Sequence, residues 1–261
     1  MTENSKILII GATSGLGKFL ATKLKNCYVF NRNSKIKDFK NIKFKYVIHC
    51  ANNPANDISL NTLNQFSYDN FFLNQLILDL KFDRLVFISS IGIYPSDKKR
   101  VWKESDDFII KTRNYYEFFK LVSEKFFISK IKNTTIIRSG GLLGAEMREN
   151  SLTRILQNLK VKLSLSSKSV FNYILYEDIL SFIKIVIKKK KIGIFNVCAS
   201  ENSSLEEVKK KYKSFNISFG NYNYFTPRID NSLARSELSI LNNTTQQNIA
   251  RYIKKLNLKV F

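Results

Sequence analysis

The fold is decided by residues 6–25, KILIIGATSGLGKFLATKLK. Lys6 to Ile10 form a short apolar run, which predicts a buried strand, and Lys18 to Lys25 carry the apolar spacing of an amphipathic helix. Between them, glycines let the backbone turn tightly and approach a pyrophosphate, and the helix start offers N–H groups and a positive dipole end. The unit therefore predicts a dinucleotide site, with an ordinary turn as the alternative. The predicted contacts are Gly11, Thr13, Ser14, Gly15, Leu16 and Gly17.

Strand-like and helix-like segments alternate along the rest of the chain. This alternation predicts an α/β fold in which a parallel sheet is covered by helices. The predicted strands are residues 6–10, 28–31, 46–49, 85–89, 134–138 and 194–197.

The end of the second predicted strand bears on which dinucleotide is bound. NAD-binding sites usually place an acid here to hold the ribose 2′-hydroxyl, but this chain has Asn31 and Arg32. Arg32 could face the 2′-phosphate of NADP, with Lys35 or Lys37 helping. NADP is therefore favoured over NAD, and the alternative is a solvated basic loop.

Tyr116 and Lys120 are four residues apart in a segment that reads as a helix, so their side chains share a face. A cation beside a phenol favours the phenolate and lowers its pKa, which suits proton transfer. Ser90 ends another predicted strand, where a hydroxyl could bond a substrate carbonyl; its alternative is to cap the following loop. These three are the predicted catalytic residues.

Taken together, these motifs resemble an extended short-chain dehydrogenase/reductase, the family of sugar-nucleotide epimerases, dehydratases and reductases. The resemblance runs nearly end to end and implies a Rossmann-type doubly wound parallel sheet with a small C-terminal substrate lobe. Beyond the glycine turn and Tyr-x-x-x-Lys, it rests on residues 46–51, Asn70, and residues 89–94, 136–144, 171–179, 193–197 and 203–207.

The resemblance implies a role for each site residue. Tyr116 would exchange a proton with the substrate oxygen, and Lys120 would lower its pKa and bond the nicotinamide ribose. Ser90 would polarise the carbonyl. Further predicted cofactor contacts are Asn31, Arg32, Cys50, Ala51, Asn70, Tyr116 and Lys120, with Asn70 matching the Asn that opens the helix before the fourth strand. Predicted substrate contacts are Ser90, Ile91, Gly92, Arg148 and Arg228.

Three departures from the family pattern narrow the reaction. The turn has the spacing Gly-x-x-x-Gly-x-Gly rather than Gly-x-x-Gly-x-x-Gly, which affects the subfamily and not the cofactor. Ile91 and Gly92 stand where dehydratases carry an acidic pair, which argues against dehydration. Phe171 stands where epimerases often carry a diphosphate-clamping Arg, which weakens the case for a nucleotide-sugar substrate.

The length and composition of the chain are consistent with a single folded unit. The 261 residues can bury a single core. We expect residues 1–140 to be mainly dinucleotide-binding and residues 141–261 to be mainly a reduced substrate lobe. Within the second part, a strand near residues 194–197 returns to the main sheet.

Composition also limits which metals, membranes and binding partners we expect for this chain. Cys27, Cys50 and Cys198 have no metal-ligand spacing, and the single histidine, His49, supports no metal site. The odd cysteine count and the lack of a signal peptide favour the cytoplasm, and no apolar run is long enough to span a membrane. The net charge of +22 is dispersed, which argues against a specific nucleic-acid partner and suits an anionic ligand. A homodimer is possible.

The sequence thus predicts an oxidoreductase that uses NADPH to reduce a keto group on a nucleotide-linked sugar. The first alternative is an NAD-dependent epimerase. The second is a dinucleotide-binding regulator without catalysis, which the intact Ser90, Tyr116 and Lys120 disfavour.

Overall fold

The protein is described here by a computed structural model, which describes residues 6–53, 55, 58–109, 114–145 and 147–258. The α-helices of this part of the chain are α1 (Gly15–Lys23), α2 (Leu60–Ser67), α3 (Leu73–Ile77), α4 (Tyr115–Lys130), α5 (Ser151–Leu156), α6 (Tyr176–Lys189), α7 (Leu205–Lys211), α8 (Ser232–Arg235) and α9 (Thr245–Lys255). A π-helical turn, Tyr68–Phe72, joins α2 to α3, and 3-10 turns lie at Ile36–Asp38, Ile91–Ile93 and Ser239–Asn242.

The strands fall into one large sheet and several two-stranded pairs. They are β1 (Ile7–Ile10), β2 (Cys27–Phe30), β3 (Lys43–His49), β4 (Lys81–Ser90), β5 (Val101–Trp102), β6 (Thr134–Ser139), β7 (Gly141–Leu143), β8 (Val161–Lys162), β9 (Val170–Phe171), β10 (Tyr173–Leu175), β11 (Gly193–Val197), β12 (Ser203–Ser204), β13 (Ile217–Ser218) and β14 (Arg228–Ile229).

The large sheet is parallel throughout, with strand order β11-β6-β4-β3-β1-β2. The chain runs from β1 outward to β2 and then crosses back to β3, on the other side of β1. This reversal creates a topological switch point between β1 and β3, where ligands of such sheets bind beyond the carboxyl ends of the strands. The predicted Rossmann-type α/β fold is confirmed.

Apolar residues cover both faces of this sheet because its central strands are buried on both sides. Along β1, Ile7 and Ile9 pack on one face with α1 and α6, whereas Leu8 and Ile10 pack on the other with α3 and α4. A separate buried cluster joins α5, α7, α9 and β10 in the second half of the chain. The continuous apolar runs in the sequence are the cause of this two-sided burial.

Three predicted boundaries are displaced by three residues or more, and one of them is the start of β3, which lies at Lys43 rather than at Tyr46. Helix α1 begins at Gly15 rather than at Lys18, so the last residues of the glycine turn form its first turn. Strand β4 begins at Lys81 rather than at Leu85, because its polar first half still pairs with β3, with Lys81 opposite Lys43. Among the described residues, no helix is both long and apolar enough to cross a membrane.

Candidate active site

The glycine turn forms the floor of a cavity of about 520 Å³. Gly11 has a φ of +83°, and a Cβ placed on Gly17 would lie 2.1 Å from the Gly11 carbonyl oxygen. Only glycines therefore allow the turn after β1 to fold this tightly against the start of α1. Such a turn leaves the helix N-terminus exposed to a ligand, which is the arrangement that binds phosphate groups.

The cavity lies at the switch point of the sheet and collects most of the predicted cofactor contacts. Its wall includes the ends of β1, β2, β4 and β6. The predicted residues that line it are Gly11, Thr13, Ser14, Gly15, Leu16, Gly17, Asn31, Arg32, Cys50, Ala51, Tyr116, Lys120 and Arg148.

Asn52 also lines the cavity, although sequence reasoning missed it. Its side-chain Nδ2 is buried and has no hydrogen-bond partner among the described residues. A buried donor without a partner is costly, so a bound ligand with acceptor oxygens would satisfy it. The tight turn and this donor together fit a dinucleotide. The signal for Asn52 was only its place after the predicted strand end at Ala51.

Helix α4 brings Tyr116 and Lys120 to the cavity on one face, as the four-residue spacing predicts. The Lys120 side chain is 3% exposed, and its Nζ donates a hydrogen bond of 2.6 Å to the carbonyl oxygen of Ile88 in β4. That Nζ lies 5.8 Å from the centre of the Tyr116 ring. Ser90, at the end of the same strand, lies close enough to Tyr116 to affect the pKa of its phenol. The three predicted catalytic residues therefore meet at one place.

The pKa values of this pair are shifted in opposite directions. Burial, partly offset by the Ser90 side chain, raises the pKa of Tyr116 to about 12, with the nearby Tyr224 and Glu117 adding to the rise. The expectation that Lys120 leaves this phenol with a lowered pKa is therefore wrong for this structure. Burial lowers the pKa of Lys120 to about 8, partly offset by Cys50 and Glu124. At neutral pH the site holds a protonated phenol beside an ammonium.

An acid lies near the Ser90 hydroxyl despite the sequence Ile91-Gly92. A Cβ placed on Gly92 would lie 3.2 Å from Ser90 Oγ and 3.4 Å from Glu117 Oε1. The missing side chain of Gly92 thus leaves room for the Glu117 carboxylate, which comes from α4. Sequence reasoning missed Glu117 because it looked for an acid next to Ser90 in the chain rather than in space.

A buried polar network anchors the middle of α4 to the sheet. The Glu124 carboxylate pairs with Arg138 of β6, with Arg138 Nη2 2.7 Å from Glu124 Oε2 and both side chains almost fully buried. Glu124 also accepts a hydrogen bond from Ser89 Oγ at 2.5 Å, and Arg138 Nη1 donates to the Tyr94 hydroxyl at 2.6 Å. Because Glu124 follows Lys120 by one helical turn, this network also helps to hold the turn of α4 from which Lys120 reaches the Ile88 carbonyl oxygen.

The acid that is missing from the end of β2 is supplied from elsewhere. Asp69, in the π-helical turn after α2, lines the cavity and forms an ion pair with Arg32, with Arg32 Nη2 3.2 Å from Asp69 Oδ2. Arg32 lines the cavity, and the sequence pattern at the end of β2 gave no sign of this acid beside it. No local signal could have found Asp69, which lies 37 residues after Arg32 in the chain.

Several predicted site residues do not line this cavity. Ser90 is one of them, and its Oγ accepts a hydrogen bond of 3.0 Å from the Gly92 N–H, so it caps the 3-10 turn that follows, as its alternative interpretation predicts. Asn70 lies inside the π-helical turn rather than opening a helix, and its side chain bonds the backbone of Asn53 instead. Ile91 and Gly92 form a 3-10 turn next to Ser90, and Arg228 is exposed in β14. Conversely, the structure brings in Tyr224, whose electrostatic effect on Tyr116 shows that residues of the second half of the chain reach the phenol.

Among the described residues, no group of three or more His, Cys, Asp and Glu side chains could hold a metal ion. His49 is buried in β3 and bonds Asn74, with its Nε2 3.0 Å from Asn74 Oδ1. Its burial lowers its pKa to about 3, so this histidine stays neutral at physiological pH.

Comparison with known proteins identifies the family of this chain. A model of the NAD dependent epimerase/dehydratase family matches residues 8–198. A comparison with curated proteins gives no match.

Solved structures show the same fold at low identity. A dTDP-4-dehydrorhamnose reductase from Bacillus anthracis in complex with NADP superposes with a TM-score of 0.79 at 16% identity, covering 97% of this chain and 99% of that one. UDP-N-acetylglucosamine 4-epimerase from Bacillus cereus gives 0.74 at 20% identity, covering 98% and 99%. A variant of UDP-glucuronic acid 4-epimerase from Bacillus cereus, solved with NAD, gives 0.73 at 16% identity, covering 96% and 99%.

Proposed function

The chain belongs to the NAD-dependent epimerase/dehydratase family, and we propose that it uses NADPH to reduce a keto group on a nucleotide-linked sugar. The relatives of known structure include a reductase and epimerases of nucleotide sugars, bound to NADP or NAD. The choice of NADPH rests on Arg32 in the cavity wall, and the choice of reduction rests on the protonated phenol described above.

The glycine turn would hold the pyrophosphate of the dinucleotide. The N–H groups at the start of α1 and the Asn52 Nδ2 donor offer hydrogen bonds to its oxygens. Lys120 is the buried cation of the cavity nearest to the phenol and would bond the nicotinamide ribose. The bound cofactor supplies the hydride.

The protein's own contribution to the reaction is to place and protonate the carbonyl oxygen. Ser90 would donate a hydrogen bond to that oxygen and so polarise the carbonyl. Tyr116, whose high pKa keeps it protonated, would then give its proton to the oxygen as the alkoxide forms. The Lys120 ammonium would stabilise the phenolate that remains, and the Glu117 carboxylate would oppose it.

One observation carries this proposal. Tyr116 and Lys120 line the cavity that is floored by the glycine turn, and Ser90 lies close enough to affect the pKa of Tyr116. A proton donor and a dinucleotide cradle therefore share one cavity, and the Ser90 hydroxyl lies near the proton donor. A dinucleotide-binding regulator without catalysis would need neither the proton donor nor the Ser90 hydroxyl.

Residues beyond the cofactor cradle would bind the substrate. We assign dinucleotide binding mainly to residues 1–140 and substrate binding mainly to residues 141–261, in which Arg148 lines the cavity and Tyr224 approaches Tyr116. Arg148 would meet the anionic diphosphate of the substrate, and the net charge of +22 would attract it. Three unpaired cysteines suit work in a reducing cytoplasm.

The test is NADPH oxidation by the purified protein against a panel of keto-sugar nucleotides. We expect net consumption of NADPH with at least one of them, and a smaller kcat/KM with NADH. Turnover of another carbonyl alone would overturn the substrate class and leave the reductase. Tightly bound NAD in the purified protein, with interconversion of nucleotide sugars and no net NADPH consumption, would identify an epimerase instead.

A further inference from the structure

We propose that Asp69 limits the preference of this site for NADP over NAD, because it holds the arginine that would otherwise pair with the 2′-phosphate. This inference rests on the proposed function only in requiring that the cavity bind a dinucleotide. It concerns the adenosine end of the cavity, beyond the end of β2, where Arg32 and Asp69 meet.

Hydrogen bonds from neighbouring residues hold the Asp69 carboxylate in place. Its side chain is 11% exposed, and it accepts hydrogen bonds from Gln65 Nε2 at 2.7 Å and from Asn53 Nδ2 at 3.0 Å. The next residue, Asn70, clamps the backbone of Asn53 from both sides, with its Oδ1 accepting from the Asn53 N–H and its Nδ2 donating to the Asn53 carbonyl oxygen. The carboxylate is therefore fixed at the cavity wall.

Arg32 is the movable partner. Its side chain is 74% exposed and sits on the loop after β2, where the Asp69 carboxylate is the ion-pair partner found for it among the described residues. The geometry of the pair, with Nη2 3.2 Å from Oδ2, leaves the rest of the guanidinium directed to solvent or to a ligand. An exposed arginine can turn toward a phosphate at little cost, whereas the buried aspartate cannot move away.

NAD and NADP differ at the 2′ position of the adenosine ribose, and Arg32 and Asp69 have opposite effects on the group that is bound there. A ribose 2′-hydroxyl can donate a hydrogen bond to a carboxylate, as the acid after the second strand does in NAD-binding sites. A 2′-phosphate must instead draw Arg32 from Asp69 and then lie near a fixed negative charge. Arg32 thus favours NADP and Asp69 opposes it, so the wild-type protein should show only a modest preference.

The experiment measures equilibrium dissociation constants for NADP and for NAD by calorimetry, in wild type and in two variants. Asp69→Asn removes the charge and keeps the side-chain size, and we expect it to raise the affinity for NADP relative to NAD about tenfold or more. Arg32→Gln keeps the packing around Asp69 intact, and we expect it to lower the same ratio about tenfold or more, to below one. Asp79→Asn is the matched control, since it removes the same charge from an exposed pair with Lys40.

A changed ratio in both variants and an unchanged ratio in the control would support the inference. If both dinucleotides bind but Asp69→Asn leaves the ratio unchanged or lowers it, the inference fails and the proposed function stands. If Asp69→Asn does not fold, an unchanged ratio in Arg32→Gln overturns the inference by itself. Absence of binding of either dinucleotide to the wild type would overturn the proposed function together with the inference.

Discussion

Replacing Glu124 by leucine should destabilise the protein by about 3–5 kcal/mol, because it leaves the Arg138 guanidinium buried without its anion. Both side chains of the pair are almost fully buried, at 1% for Glu124 and 4% for Arg138, so solvent does not screen the loss. The carboxylate accepts from Arg138 Nε at 3.2 and 3.1 Å and from Nη2 at 2.7 Å, and all three contacts disappear together. The remaining partner of the guanidinium is the Tyr94 hydroxyl, which carries no charge.

The free energy of unfolding from urea denaturation measures this cost. For a chain of 261 residues, each kcal/mol corresponds to about 2 °C, so the Tm should fall by about 6–10 °C. The double variant Glu124→Leu/Arg138→Met removes the stranded charge as well and should recover at least about 1 kcal/mol relative to Glu124→Leu alone. A loss below about 1 kcal/mol in Glu124→Leu, or a double variant that loses the sum of the two single changes, would refute the reasoning.

Three further predictions follow from the site. Gly17→Ala should abolish dinucleotide binding in an equilibrium titration, because its Cβ would lie 2.1 Å from the Gly11 carbonyl oxygen; retained affinity would contradict the tight turn. Glu117→Gln should lower the pKa of Tyr116, because the Glu117 carboxylate raises it, and Glu117→Asp should lower it less. Spectrophotometric titration of the phenol, referenced to the same titration of Tyr116→Phe, measures this pKa, and an unmoved value would exclude the effect. Lys120 has a pKa of about 8 in the folded protein against an ordinary value of 10.5. Between these pH values the unfolded chain binds more protons than the folded protein, so the free energy of unfolding should rise with pH. Lys120→Met should flatten that rise in urea denaturation measured across this range, and an equal rise in both proteins would contradict the prediction.

Local patterns in the sequence predicted the sheet well. Ile7–Ile10 and Thr134–Ser139 were predicted to within one residue, because an apolar run that is buried on both faces leaves a continuous signal. The first half of β4 was missed, because Phe82 is the one apolar residue among Lys81 to Arg84 and none of these four residues is fully buried. Pairing with β3, which no local pattern contains, makes that segment a strand.

The site was predictable only where its residues share an element or a strand end. Tyr116 and Lys120 lie one turn apart on α4, and Ser90 ends β4, so spacing and topology suffice to bring them together. Asp69 reaches the site from the π-helical turn after α2, and Glu117, although it lies on α4, meets Gly92 only because of the path that the chain takes after β4. The pKa of Tyr116 also escaped prediction, because burial outweighs any neighbouring charge and burial is a property of the folded protein.

The central claim is that Tyr116 gives the proton that completes hydride transfer, and Tyr116→Phe tests it most directly. The measurement is kcat for NADPH oxidation with the best keto-sugar nucleotide of the panel, beside the dissociation constant for NADPH. Tyr115→Phe is the matched control, since it removes the same hydroxyl from the neighbouring exposed ring. We predict that Tyr116→Phe lowers kcat by about 10²–10⁴-fold with NADPH affinity retained, and that Tyr115→Phe leaves both unchanged. Turnover at the wild-type rate by Tyr116→Phe would contradict the account.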